Sequence, residues 1–218
     1  MATVVDGTNP NAVLATYDGD DTPIGMVSMV GTPPVAARVY ALQVPPGGNF
    51  IIADTGAPVG YMGANTTDNG TVATGTGTEQ NVPSASWDNE PTFVFPPGRM
   101  VEVTVVGGAF NSLGTAQAAN IRVRKGAATI VGTVLGTWEH ISPAGYLGAA
   151  ISFTYITYIK NSRASAAVST KLSLTIQRIL GAGSYSLYGD ATVPLSVAVQ
   201  DIGTIARHPE LADIAVSV

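Results

Sequence analysis

Residues able to do chemistry are sparse, and the densest group of them is the acidic stretch Tyr17–Asp21, YDGDD. Its carboxylates are ligands that Ca²⁺ or Mg²⁺ accepts, but their spacing is not that of an EF-hand loop and no later glutamate completes one. Two interpretations remain open, a solvated turn and a divalent cation site. We favour the turn and predict no metal-binding residues.

The chain lacks the residue patterns of common catalytic sites. Its two histidines, His140 and His208, do not have zinc-site spacing, and each is expected to be a surface or hydrogen-bonded residue. No GxSxG motif is present, and the absence of cysteine excludes thiol nucleophiles, disulfides and thiolate metal sites. We therefore predict a protein that is not an enzyme, with no catalytic or cofactor-binding residues and no cofactor.

A small basic cluster, RVRKG, occupies Arg122–Gly126. The chain has a formal charge of −5 and the cluster has no interleaved aromatic residues, so nucleic-acid binding is not expected. Because Arg122 and Arg124 alternate with apolar residues, they should line the outer face of a sheet or contact an acidic partner surface.

Several aromatic residues lie in or near predicted loops and strand ends. Such residues stack on sugars, anchor protein interfaces or complete a core. The candidates are Trp87, Trp138, Tyr155, Tyr158, Tyr185 and Tyr188.

These residues must be positioned by β-strands, because apolar and polar residues alternate with period two in short runs separated by Gly, Asn and Ser. The pattern predicts an all-β protein with a β-sandwich or jelly-roll-like fold and a loop-rich, extended N-terminal β region. The predicted inward-facing sets are Val101/Val103/Val105, Ile121/Val123, Ile151/Phe153/Tyr155, Leu172/Leu174/Ile176 and Leu195/Val197/Val199.

The N-terminal part is less regular but still predicts strands, in VLATY, IGMVSMV, ARVYALQV and NFIIAD. Residues 55–91 are dense in Gly, Thr, Asn and Pro. A structureless loop of that length is uncommon, so the segment should contain a hairpin, wrap a neighbour or join two modules. Helix is expected only in His208–Ala215, as a turn or two.

Two PPG stretches, Pro45–Gly47 and Pro96–Gly98, interrupt the strands. Proline lacks an amide donor and ends a ladder, and a following glycine accepts the positive φ of a tight turn. Both stretches therefore predict corners between strands, either in two β modules or at two corners of one sandwich.

Charge is divided unevenly along the chain. Residues 1–90 carry nine carboxylates and one arginine, a formal −8, whereas residues 91–218 carry six carboxylates and nine basic residues, a formal +3. We predict three parts: an acidic, loop-rich β region for docking or assembly at 1–91, a β-sandwich domain at 92–203, and a C-terminal tail at 204–218.

Only 11% of the residues are charged, and the mean hydropathy is +0.27. Such a surface favours an assembled protein whose faces are covered by neighbours, although a monomeric β protein coated with Ser and Thr has a similar composition. The sequence shows no secretory signal and no transmembrane stretch, so we expect synthesis in a host cytoplasm and no membrane insertion.

Residues 92–203 resemble the β-sandwich minor tail and fibre-type proteins of tailed phages that infect actinobacteria. The resemblance lies in FVFPPGRMVEVTV, in NIRVRKGAATIVGT, in ISFTYITYI, and in KLSLTIQRILGAGSYSLYGDATVPLSVAVQDIG, and it includes Arg99, Arg122, Arg124 and Asp201. It implies a non-enzymatic virion subunit that forms homo-oligomers, with trimers favoured, and that offers no catalytic residues.

The leading hypothesis is a structural protein of a tailed-phage virion, a minor tail or fibre-type subunit acting in assembly and in host-surface contact. Its expected partners are its own copies, other virion proteins and a host cell-surface glycan. Two alternatives remain open: a capsid decoration or head-fibre protein, and a carbohydrate-binding surface adhesin.

Overall fold

A computed structural model describes residues 1–9, 11–29, 33, 38–46, 48–54, 60–68, 70–87, 91–127, 130–145, 151–163 and 166–218. The fold is all-β and includes a β-sandwich, as the alternating sequence predicts. No helix within these ranges is long and apolar enough to cross a membrane.

The chain divides into two compact units. The first comprises Met1–Pro58 and Gly203–Pro209, and the second comprises Val59–Ile202 and Glu210–Val218. This division differs from the predicted boundary at 91/92, because strands within residues 60–81 pair with strands of the second unit. Part of the Gly- and Thr-rich segment is therefore sheet, while its residues 55–59, 69 and 88–90 lie outside the described ranges.

The first unit is a closed barrel with strand order β1-β2-β3-β5-β4. Alternate residues face its interior, where Val4, Val13, Met26, Val39 and Ile51 are buried. The strands are β1 (Ala2–Asp6), β2 (Val13–Tyr17), β3 (Ile24–Ser28), β4 (Arg38–Val44) and β5 (Gly48–Asp54).

The second unit is the sandwich. One sheet has the order β18-β13-β10-β16-β7, with β17 pairing both β10 and β6, and the other has the order β12-β11-β15-β8. A small sheet joins β9 and β14. The strands are β6 (Gly60–Thr67), β7 (Gly70–Gly75), β8 (Gln80–Asn81), β9 (Phe93–Phe95), β10 (Arg99–Asn111), β11 (Gln117–Lys125), β12 (Val134–Ser142), β13 (Ile151–Lys160), β14 (Val168–Thr170), β15 (Leu172–Leu180), β16 (Tyr185–Gly189), β17 (Leu195–Thr204) and β18 (Val216–Ser217).

The core of the second unit lies between its sheets and uses the predicted inward-facing residues. Val101, Val103 and Val105 of β10 are fully buried there, together with Ile121 and Val123 of β11. The inward sets of β15 and β17 are buried in the same way, whereas Ile151 and Tyr155 of β13 are only partly buried.

In the first PPG stretch, Pro45 and Pro46 form a turn after β4, as predicted, and Gly47 lies outside the described residues. The second joins β9 to β10, and Gly98 there has φ +67°. The predicted C-terminal helix is one turn, α1 (Pro209–Ala212), and short 3-10 turns occupy Ser84–Ser86 and Ile205–Arg207.

Candidate assembly surface

The acidic stretch Tyr17–Asp21 ends β2 and continues into an exposed turn. Asp18 is held by Arg38 through two contacts of 2.6 Å, and this hydrogen bonding lowers the pKa of the Asp18 carboxyl. Among the residues that the structure describes, no group of three or more His, Asp or Glu side chains is arranged to hold a metal ion. Within this stretch, Asp18 therefore belongs to an ion-paired turn.

Glu79 forms ion pairs with both arginines of the basic cluster of β11. The Nε and Nη2 atoms of Arg124 each lie 2.8 Å from a Glu79 carboxylate oxygen, and Nη1 of Arg122 lies 3.2 Å away. Thr175 also donates to Glu79, and Gln177 accepts from Arg122. The cluster is therefore a cross-strand network on the outer face of the sheet, and the acidic group it contacts belongs to its own chain.

Two opposing effects act on the pKa of Glu79. Burial raises this pKa, whereas hydrogen bonds from Arg124 and Thr175 and the charges of Arg122 and Arg124 lower it. The lowering effects prevail, so the pKa lies below its usual value of 4.5 and the carboxylate stays ionised in the folded chain.

Most of the candidate sugar-binding aromatic residues are buried or pack against other aromatic rings of the same chain. Trp138 stacks on Tyr155 at 5.2 Å, and Tyr155 stacks in turn on Phe153 at 4.9 Å. Trp87 is buried, and Tyr185 is fully buried. Tyr158 is half-buried opposite Glu102, and Tyr188 packs edge-on against Phe110.

His140 was expected to be either a surface residue or a hydrogen-bonded one. It is buried and hydrogen-bonded. Its Nδ1 lies 2.7 Å from the Tyr185 hydroxyl, and its ring meets Phe153, Tyr155 and Tyr185 edge to face. Asn111 donates to Ser142 at 2.6 Å on the same side of the sandwich.

Burial favours the uncharged forms of His140 and Tyr185. It lowers the pKa of His140 below 6.5, opposed by a backbone hydrogen bond with Ile151. Burial also raises the pKa of Tyr185 to about 12, against the effect of a hydrogen bond with Ser142. Near neutral pH both groups are uncharged, which suits a polar network that stabilises the core.

A buried ion pair joins β10 to β17. Arg99 Nε lies 2.9 Å from Asp201 Oδ2, and Arg99 Nη2 lies 2.5 Å from Asp201 Oδ1. The side chains are only 8% and 1% exposed. Both residues belong to the sequence patterns singled out above, one at each end of the stretch 92–203.

The largest feature that sequence reasoning missed is an apolar outer face on the barrel of the first unit. On β4, Tyr40, Leu42 and Val44 point outward, opposite the inward Val39 and Ala41. An outward apolar set on a half-buried strand is unusual. The sequence does contain a sign of this face, because RVYALQV of β4 places apolar residues on both sides of the strand.

Neighbouring strands extend this face. Leu42 lies directly opposite Phe50 of β5, and Phe50 lies beside Val27 of β3. Ile52 of β5 is also exposed. We call this surface the barrel wall, and it consists of Val27, Tyr40, Leu42, Val44, Phe50 and Ile52.

No protein family matches the chain, and no curated protein sequence matches it. Among solved structures it is similar to the infectious bursal disease virus VP2 subviral particle, with 15% identity and a TM-score of 0.38 over 93% of this chain. It is also similar to the infectious bursal disease virus Gx strain structure, with 14% identity and a TM-score of 0.38 over 99% of this chain. The chain spans 57% and 61% of those two chains.

Proposed function

We propose that this chain is a non-enzymatic structural subunit of a tailed-phage virion, of the minor tail or fibre type, acting in particle assembly and host-surface contact. The barrel wall carries the proposal, because large apolar side chains exposed together mark a surface that another protein covers.

The second unit supports the same role. Its sheets enclose one continuous apolar core. Two sets of its charged side chains pair within the chain: Arg99 with Asp201, and Arg122 and Arg124 with Glu79. The ring of His140 packs edge to face against aromatic side chains of the core. These are features of a rigid building block.

The sequence resemblance points to the same class of protein. Its first and last motifs supply Arg99 and Asp201, which meet in the buried pair between β10 and β17. Two residues of the resembling motifs, near the beginning and the end of residues 92–203, are therefore in direct contact.

Immunogold labelling of intact particles tests the proposal. Antibody raised against the whole chain should place gold on the tail or its tip, and antibody preabsorbed with the purified chain should place none. Gold spread over the head would replace the tail role with capsid decoration. Particles without gold would refute a virion role and favour the cell-surface adhesin.

A further inference from the structure

A row of four outward-facing side chains crosses the large sheet of the second unit. Tyr61 of β6 pairs with Gln200 of β17, and Glu102 of β10 pairs with Tyr158 of β13. Gln200 and Glu102 alternate with buried residues of their strands, so they lie on the outer face. Each tyrosine faces the same way as its register partner. We call these four residues the tyrosine row.

The two pairs of the row lie side by side, because β17 and β10 are neighbours in the sheet. At one end of the two strands, Arg99 of β10 binds Asp201 of β17. Toward the other end, a Cβ added to Gly107 would lie 3.5 Å from the Cα of Leu195. The strands therefore run antiparallel, and this alignment brings the two pairs to the same level. With neighbouring strands about 4.8 Å apart, the row spans roughly 14 Å.

The row combines an accessible aromatic ring with accessible polar groups. Tyr61 is 71% exposed. Gln200 is exposed as well, while Glu102 and Tyr158 are partly buried. A ligand lying along the outer face can therefore reach a ring at one end of the row and an amide and a carboxylate beside it.

Glu102 supplies an acceptor that the chain leaves largely unused. Among the residues that the structure describes, its carboxylate has one side-chain partner, the Thr104 hydroxyl at 3.4 Å, and no ion pair. Lys160, two positions beyond Tyr158 on β13, donates instead to the carbonyl oxygen of Ala212. The carboxylate is thus free to accept hydrogen bonds from a ligand.

These groups suit a ligand that is rich in hydroxyl groups. An exposed tyrosine ring offers an apolar face on which the CH face of a sugar ring can stack, and its hydroxyl remains in water. The amide of Gln200 both donates and accepts hydrogen bonds, and the carboxylate of Glu102 accepts them from hydroxyl groups. A sugar ring presents both kinds of surface.

Charge and polarity select among the possible partners. The row contains one carboxylate and no base, so it repels an anionic polymer and favours a neutral one. A protein partner is less well suited, because the cores of protein interfaces are apolar and depleted in Glu and Ser. Around the row, the outward residues of the same strands include Thr104, Thr154 and Ser196.

We infer that the tyrosine row binds a neutral glycan, with Tyr61 stacking on a sugar ring and with Gln200 and Glu102 hydrogen-bonding its hydroxyl groups. The inference rests on the proposed function, because it names the chemical class that the proposed host-surface contact recognises.

An oligosaccharide array provides the first test. The array carries oligomers of glucose, galactose, mannose and N-acetylglucosamine, each in a neutral and a sulfated form, and the labelled full-length chain is applied to it. The wild type should bind at least one neutral oligomer and should bind its sulfated form more weakly. Binding to none of the neutral oligomers, or stronger binding to the sulfated forms, would overturn the inference.

Two tyrosine variants test whether the row is the site. Tyr61→Ala should weaken binding to the best neutral oligomer of the array by roughly tenfold, as measured by titration calorimetry. The matched control Tyr40→Ala removes a tyrosine of the first unit that is 52% exposed, and it should bind as the wild type does. Unchanged binding by Tyr61→Ala, or equal losses in the two variants, would refute the row.

Two further variants test the polar groups. Glu102→Gln removes the negative charge, so the difference between neutral and sulfated oligomers should shrink. Gln200→Ala removes the exposed amide and should weaken binding to the neutral oligomer, with the unfolding midpoint unchanged. Wild-type discrimination by Glu102→Gln together with wild-type affinity in Gln200→Ala would contradict the assignment of these groups.

The two proposals fail in different experiments. Gold on particles together with an array that shows no neutral-glycan binding leaves the virion role standing and removes the tyrosine row. Bare particles together with glycan binding that Tyr61→Ala weakens leave the tyrosine row standing and remove the virion role.

Discussion

Arg99 at the start of β10 and Asp201 near the end of β17 form a buried ion pair with two parallel contacts. The two residues lie 102 positions apart in the sequence, yet they join two neighbouring strands of one sheet. A guanidinium opposite a carboxylate has the geometry for such paired contacts. Removing one partner leaves the other charge buried and uncompensated.

Replacing Arg99 by Met should therefore lower the free energy of unfolding by about 3–5 kcal/mol, because the Asp201 carboxyl would lose its guanidinium partner in an almost inaccessible position. Urea denaturation followed by circular dichroism measures this loss. The double variant Arg99→Met/Asp201→Leu removes both charges and should recover much of it. A loss below about 1 kcal/mol in the single variant would show that the pair is not a determinant of stability.

Glu79 should stabilise the polar network on the outer face of β11 and β15, because it contacts both arginines and Thr175. Glu79→Gln leaves Arg122 and Arg124 side by side without a counter-charge, so unfolding should become easier by about 2 kcal/mol. The same denaturation measurement applies. The control Glu139→Gln changes an exposed carboxylate of the same sheet and should have little effect. Equal losses in the two variants would contradict the network.

His140 should make the stability of the second unit pH-dependent. Burial lowers its pKa in the folded chain below the 6.5 expected when unfolded, so the unfolded state binds the proton more readily. Its contribution is complete above pH 6.5 and decreases as the pH falls toward the folded-state pKa. Thermal unfolding between pH 8 and about pH 5 should show the midpoint falling on the acid side.

One variant assigns that pH dependence. His140→Phe removes the titrating ring and should flatten the curve between about pH 6.5 and 5, even if its overall stability is lower. If His140→Phe kept the acid-side fall of the wild type, the assignment would be wrong.

Gly189, at the end of β16, is required by close packing. An added Cβ would lie 2.3 Å from the backbone nitrogen of Leu195 and 2.7 Å from the carbonyl oxygen of Thr67, and neither atom can move freely. Gly189→Ala should destabilise the sandwich by about 1–3 kcal/mol. Gly25→Ala, where a Cβ meets nothing within 4 Å, is the control. A neutral Gly189→Ala would contradict the packing described for this strand.

Period-two alternation predicted the sandwich strands well, because each buries one face against the core. Val101, Val103 and Val105 are buried, while Glu102 and Thr104 between them are partly exposed. Alternation was less informative for β15, where Ser173 and Thr175 are buried on the face predicted to be outward. That face is covered in part by Glu79, which is remote in sequence.

The division of the chain was harder to predict. Gly60–Thr67 and Gly70–Gly75 are poor in the large apolar residues that identify strands, and they become strands by pairing with β17 and β16. Barrel closure likewise depends on the parallel pairing of β3 with β5, which leaves no local pattern in the sequence. The barrel wall follows from that closure, because only the closed barrel shows which side of β4 faces outward.

The most direct test of a virion role is a count of this chain in purified particles. Quantitative mass spectrometry of gradient-purified phage, with isotope-labelled chain as the standard, gives copies per particle. The account predicts a small, fixed number of copies that stays with the particles through repeated gradients. Loss of the chain on repeated gradients, to less than one copy per particle, would contradict it.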